Sequence, residues 1–299
     1  MKGESMQINK HGSFYMRSGW VTKIIDAIKK DEMIFSPNNE LNAIDEIGVG
    51  RVMIKAMRYW SIVLGISNEA KVQRGVIHQF TALGNIISNY DPYCQDIGTL
   101  WLLHRNLSSD YKNATAWFWA FNQSNLNSFS KDTFSNAFYS YLQKNGASYS
   151  KTAVEKEFDC FKNTYVSDKS FDIGKVIDED TIPLFSTLKL IHYQGGGLFQ
   201  LKRPSIKDIP LEVLLYCIIN DNSEHLQNNT QLNIDELLEG NCQVGKYMHI
   251  SYSNLLEMLQ QLENMKKLSL INNFGSKYIQ LKDINSEELL VKYYLRSER

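Results

Sequence analysis

Asn42–Ile66, NAIDEIGVGRVMIKAMRYWSIVLGI, is the stretch from which the fold of this chain is read. Its spacing predicts a short helix, a turn bracketed by Gly48 and Gly50, and a longer helix closed by Gly65. In the longer helix Arg51, Lys55 and Arg58 fall at i, i+4 and i+7, which puts all three on one face. Met53, Met57, Trp60 and Leu64 line another face, with Val52, Ala56 and Tyr59 between the two. One side therefore seeks a core while the other carries positive charge.

Upstream, Val21, Ile24, Ile25 and Ile28 have helical spacing, and the turn formers from Phe35 to Asn39 separate that helix from the next, Glu40 to Ile47. Downstream, residues 67–87 predict a β-hairpin that turns near Arg74-Gly75 and alternates from Val76 to Phe80. Three helices and a hairpin predict a winged helix over residues 1–90.

The rest of the chain extends this plan. Residues 91–125 form an aromatic-rich helical connector carrying Trp101, Trp117, Phe118 and Trp119. These rings point all round their helices, which fits a packing centre better than a platform for stacking bases. Residues 126–205 and 206–299 each predict helices followed by a hairpin. Without gaps, Leu188, Leu190, Ile191 and Gly195 align with Leu268, Leu270, Ile271 and Gly275, and Gln200-Leu201-Lys202 aligns with Gln280-Leu281-Lys282. An offset of about 80 residues argues for a repeated unit. The expected fold is mainly α with small β-hairpins, an α+β chain of tandem winged-helix-like units joined by the connector.

Composition narrows the functions. A chain of 299 residues with 43% hydrophobic and 22% charged residues describes a folded protein able to bury several cores. With a net charge of −1 there is no global basic field, so any contact with nucleic acid must come from a local patch. Cys94, Cys160, Cys217 and Cys242 form no C-x-x-C pair and predict buried thiols in a reduced, cytoplasmic setting. No signal peptide is read in the first residues, and no run reaches the roughly 18 apolar residues of a membrane span.

The candidate nucleic-acid-binding residues are Arg51, Lys55 and Arg58, joined by Lys71 and Arg74 in or near the hairpin, with Glu69 the single acid between residues 51 and 74. Arg and Lys contact phosphates and the acceptor edge of guanine, and a winged helix uses its third helix and its wing in that way. The competing reading is a solvated helix face. Asp91 and Asp96 with His104 are weighed as a metal site against a turn and helix cap, and the cap is preferred. Gly195-Gly196-Gly197 lacks the Lys-Ser/Thr sequel of a phosphate loop and reads as a hairpin tip, while Asp178-Glu179-Asp180 reads as a solvated loop. No catalytic motif, cofactor or metal is expected.

Several segments resemble one family. They are Phe14, Arg17-Ser18-Gly19-Trp20 and Lys23; Ile47-Gly48-Val49-Gly50 with Met53; Arg58-Tyr59-Trp60; Thr81-Ala82-Leu83-Gly84; Asp91-Pro92-Tyr93; and Thr99 to His104. They are similar to the domain-of-unknown-function 4007 family (DUF4007) of bacterial proteins. The chain departs from the family pattern at Arg51 and at Gln95, where an acid is usual. The resemblance implies a place beside sulfur-transfer genes resembling phosphoadenosine-phosphosulfate reductases, in clusters for DNA phosphorothioation or phage defence. The expected function is a non-catalytic, DNA-binding accessory protein of such a system. The alternative is a scaffold or adaptor without direct DNA contact. Expected partners are double-stranded DNA, proteins of the cluster and a second copy of the chain, with no membrane.

Overall fold

The computed structural model describes residues 6–166, 182–273, 275–282 and 284–297. Among those residues it is an α+β chain, mostly helical, with three small antiparallel sheets. The acidic run Asp178-Glu179-Asp180 lies outside the described residues.

The first 90 residues begin with α1 (Ser18–Lys30), whose Trp20, Val21, Ile24, Ile25 and Ile28 are buried as their spacing predicts. Next come α2 (Glu40–Ile47) and α3 (Arg51–Val63). Gly48 sits at φ +72° and ends α2, a left-handed conformation that costs glycine little. The hairpin follows as β1 (Ser67–Val72) and β2 (Gly75–Phe80), paired from Ser67 with Phe80 to Val72 with Gly75.

Residues 82–90 correct the hairpin reading. They form a helix, α4 (Ala82–Tyr90), whose N-cap Thr81 accepts from the Gly84 amide at 2.8 Å and donates to the Gly65 carbonyl at 2.6 Å. A Cβ on Gly84 would stand 1.9 Å from the Ile66 carbonyl oxygen, so α4 presses against the chain entering β1. The cap at Thr81 was legible, but alternation in the preceding strand masked it.

The connector comprises α5 (Ile97–Ser109), α6 (Thr115–Phe118) and a π-helical turn, Trp119–Gln123. Trp101 and Trp117 are fully buried and Trp119 nearly so, which makes them core rather than platform. The second unit contains β3 (Ser128–Phe129), α7 (Lys131–Lys144), α8 (Lys151–Tyr165), β4 (Ile191–Gly195) and β5 (Leu198–Leu201). The third begins with α9 (Leu211–Asp221), α10 (Ser223–Leu226), β6 (Gln231–Asn233), α11 (Ile234–Glu239) and α12 (Val244–Tyr247). It closes with α13 (Tyr252–Asn264), β7 (Leu268–Asn273), β8 (Ser276–Leu281) and α14 (Ser286–Ser297).

The two later sheets share one topology. In each, the returning hairpin strand lies in the middle, giving the orders β3-β5-β4 and β6-β8-β7. The gapless alignment holds only for the returning strand: Leu201 and Leu281 occupy equivalent positions, but Leu201 pairs with Ile191 whereas Leu281 pairs with Leu268. The β4–β5 hairpin is therefore shorter, with a bulge between Tyr193 and Gly195 and positive φ at all three glycines. In the first unit the strand-like partner is reduced to one backbone bond, from the His78 amide to the Glu32 carbonyl at 2.7 Å.

The buried apolar residues form one continuous core from Ile8 to Tyr294. His104 on α5 lies within it, 2.8 Å from the Tyr247 carbonyl through Nε2 and 2.9 Å from the Tyr165 hydroxyl through Nδ1. One side chain thus bridges the connector to both later units. Burial lowers its pKa to about 4, so it is neutral near pH 7. Arg105 and Tyr247 both donate to Asp221, at 2.6 and 2.7 Å, and reinforce the same seam.

Candidate nucleic-acid interface

Helix α3 is anchored from its buried side. Trp60 donates its indole N–H to the Phe14 carbonyl at 2.9 Å, and Tyr59 donates its hydroxyl to the Asn113 carbonyl at 3.0 Å. The His11 ring stacks on Trp60 with centroids 6.2 Å apart, and its Nε2 lies 3.0 Å from Glu157 of α8. Ile54, Ala56 and Met57 complete the buried face. Tyr59 and Trp60 are therefore engaged in fixing the helix, with the basic residues turned the other way.

Each of those basic residues has an acidic neighbour. Glu40, at the start of α2, lies 3.2 Å from Arg51 Nε and 3.5 Å from Lys55 Nζ. Glu69 on β1 accepts from Arg58 Nε at 2.5 Å and Nη2 at 3.0 Å, a two-point grip that lowers its pKa. Glu69 is the single acid between residues 51 and 74, but the structure adds Glu40 from another helix, outside that window. No spacing rule could reveal it, because only the turn between α2 and α3 brings Glu40 to Arg51 and Lys55.

Lys71 lies on β1 and Arg74 in the hairpin turn, both exposed and, among the described residues, without a carboxylate partner. The turn is held against residues 36–38. Asn38 donates to the Arg74 carbonyl at 3.3 Å, and the Val76 amide donates to Ser36 Oγ at 3.2 Å. A Cβ on Gly75 would lie 2.3 Å from Ser36 Oγ. The loop before α2 thus fixes the hairpin turn relative to α3. Behind the hairpin, His78 is fully buried, with Nδ1 at 3.1 Å from Ser67 Oγ and Nε2 at 3.3 Å from Glu69. Its pKa is lowered to about 4 mainly by burial, the Glu69 carboxylate opposing that shift.

Between α2 and α3 lies a cleft of about 110 Å³ lined by Phe35, Ser36, Pro37, Glu40, Ile54, Lys55 and Arg58. Apolar side chains and charged groups meet there.

The other sequence candidates are committed elsewhere. The Asp91 carboxylate accepts from the Gln95 and Asp96 amides and from Thr99 Oγ1 at 2.6–3.0 Å, which is a cap. Asp96 caps α5 through the Gly98 amide at 2.7 Å and accepts from the Tyr293 hydroxyl at 2.5 Å. His104 faces core, not these carboxylates. Among the described residues no group of three or more His, Cys, Asp or Glu side chains is arranged to hold a metal ion, and no helix is long and apolar enough to cross a membrane. All four cysteines are free; Cys94, Cys160 and Cys217 are buried, and burial raises their pKa values.

Comparison with solved structures finds two of SspB. The magnesium ion-bound crystal structure aligns with a TM-score of 0.81 and 19% identity over 98% of this chain and 87% of the other. A second SspB crystal structure gives 0.80 and 18% over 99% and 89%. At such identities the likeness establishes the fold. A search of curated proteins found no match. The sequence profile of a family described as protein of unknown function matches residues 8–294, nearly the whole chain. The capped turns, close-packed glycines and anchored aromatics described above thus belong to a member of the DUF4007 family.

Proposed function

We propose that this protein is a non-catalytic, DNA-binding accessory component of a bacterial DNA-modification system of the phosphorothioation type, or of a related phage-defence system. Residues 1–90 act as a winged helix, with α3 in or beside the major groove and the β1–β2 hairpin as its wing. The two later units are winged-helix-like modules that hold a protein partner or a second copy of the chain. Its place of action is the cytoplasm.

The observation that carries this reading is the convergence of Arg51, Lys55, Arg58, Lys71 and Arg74 on helix and hairpin, held at a set angle by the Ser36–Asn38 clamp. Two carboxylates, Glu40 and Glu69, stand against these five cations. The setting, beside sulfur-transfer genes, is what the family resemblance implies.

The two carboxylates also favour a second reading, a protein-interaction scaffold whose helix face is already charge-neutralised in part. A mobility-shift or anisotropy assay with duplex DNA at low salt separates the two. Binding that is lost on changing Arg51, Lys55 and Arg58 together to Ala, with unchanged melting, supports DNA contact. Absence of duplex binding by the native protein favours the scaffold.

A further inference from the structure

Arg58 differs from its neighbours on the basic face in how firmly its guanidinium is held. Glu69 grips it side-on, accepting from Nε at 2.5 Å and from Nη2 at 3.0 Å. That carboxylate is positioned in turn. It sits on β1, and the buried His78 ring stands 3.3 Å from it through Nε2 and 3.1 Å from Ser67 Oγ through Nδ1. Ser67 Oγ lies 3.2 Å from Ser61 Oγ, and Ser61 donates to the Arg58 carbonyl at 2.8 Å. The contacts therefore close a ring that leaves Arg58 by its side chain and returns to its backbone. Arg51 and Lys55 have no such frame. They share the one carboxylate of Glu40 at 3.2 and 3.5 Å, with 59% and 67% of their side chains exposed against 30% for Arg58.

We infer that Arg58 is the base-reading residue of this face and takes the edge of a guanine, with Glu69 as its positioning residue, a reading that rests on the DNA-binding function proposed above. A guanidinium carries its N–H donors in a planar fork. Side-on pairing with Glu69 uses one donor on Nε and one on Nη2, and among the described residues the others have no partner. The two N–H bonds at the end of the fork, one on Nη1 and one on Nη2, run parallel and stay free. Guanine sets two acceptors, N7 and O6, side by side in the major groove, and they match that pair. Adenine puts an amine beside its N7, so it offers one acceptor where the fork brings two donors. A phosphate asks only for positive charge nearby, which the loosely held Arg51 and Lys55 supply. A base edge asks for direction, and direction is what the ring of contacts fixes. Glu69 also cancels part of the charge of Arg58, so what Arg58 keeps is its geometry. Lys71 and Arg74, exposed on the hairpin, belong with the phosphate contacts.

The test is fluorescence anisotropy of the full chain at low salt with three duplexes: alternating G·C, the same duplex with deazaguanine (carbon in place of N7) for guanine, and alternating A·T. The deaza change removes one acceptor and leaves every phosphate. The native protein should bind G·C about tenfold tighter than either of the others. Arg58→Lys keeps the charge and lacks the fork, so the gap should close with the salt dependence unchanged. Arg51→Ala with Lys55→Ala should weaken all three duplexes alike and keep the gap. Glu69→Gln should raise affinity for all three, since an opposing charge is gone, and narrow the gap. A carboxylate that only braces the hairpin would not move affinity and preference in opposite directions. Equal native binding of G·C and its deaza form, or a gap that survives Arg58→Lys, overturns the inference and leaves the DNA-binding reading standing. A gap unchanged in Glu69→Gln overturns the positioning role. Binding of none of the duplexes removes both readings.

Discussion

The first 90 residues and the two later segments each contain a β-hairpin and differ in how they treat its returning strand. In the later units that strand is central, flanked on both sides by pairing. In the first it is braced by the Glu32 carbonyl and Ser36 Oγ, and the turn before it by Asn38, all from the segment between α1 and α2. The difference in chemistry follows. The later sheets pack Phe129 on Phe199 and Leu232 beside Ile279, all buried. The first hairpin leaves most of β1 exposed and presents Lys71 and Arg74. A strand that needs no outer partner can be spent on a surface, and here that surface joins the basic face of α3.

The sharpest way to break this contrast is at the seam, not at the surface. His104→Ala removes a buried ring, orphans the Tyr247 carbonyl and leaves the Tyr165 hydroxyl with Ser108 in place of the imidazole. We expect a loss of about 3–5 kcal/mol in urea unfolding, by cavity and unsatisfied-group costs together, in one cooperative transition because the core is continuous. Separate transitions for the units would contradict that continuity.

Changing Arg51, Lys55 and Arg58 together to Ala should do the reverse. Surface pairs contribute about 1 kcal/mol or less each, so melting should move little. Duplex affinity at low salt should fall by about tenfold or more, and the slope of log affinity against log salt should shrink by about 0.9 for each phosphate that is no longer neutralised.

Acid offers an intermediate effect. His104 is neutral in the fold, with its pKa lowered from 6.5 to about 4, so the unfolded chain binds more protons between those values. Its contribution is complete above pH 6.5 and is lost as pH falls toward 4. At pH 5 the native state should be about 2 kcal/mol less stable than at pH 7 from this residue. The urea midpoint should fall accordingly, and a flat midpoint would show that the ring is solvated. The smallest expected change is Lys71→Ala with Arg74→Ala. These exposed cations should alter association rate and salt dependence by about threefold and leave stability unchanged. An effect larger than that of the helix triple would move the proposed DNA contact from the helix to the hairpin.

Most helices were legible because buried residues recur at helical spacing, as in α1, where the predicted apolar positions are the buried ones. Residues 82–90 were not, because a strand with clear alternation runs straight into them. The repeat was legible in the returning strands and misplaced by three residues in the outgoing one, since a glycine-rich tip can shorten a hairpin without changing its apolar pattern. The aspartate cap at Asp91 was readable from its proline-bounded turn. The role of His104 was not, because its partners are 61 and 143 residues away.

The sequence by itself determined that Arg51, Lys55 and Arg58 share a helix face and that Trp60 belongs to the opposite one, because a 3.6-residue period is a local property of the backbone. Only the tertiary structure decided what opposes the charge. Glu40 reaches Arg51 and Lys55 across the α2–α3 turn, Glu69 reaches Arg58 from the hairpin, and the cleft between them exists only once α2, α3 and the Phe35–Pro37 loop have packed. Ion pairs and clefts depend on distances through space, and spacing along the chain does not encode those.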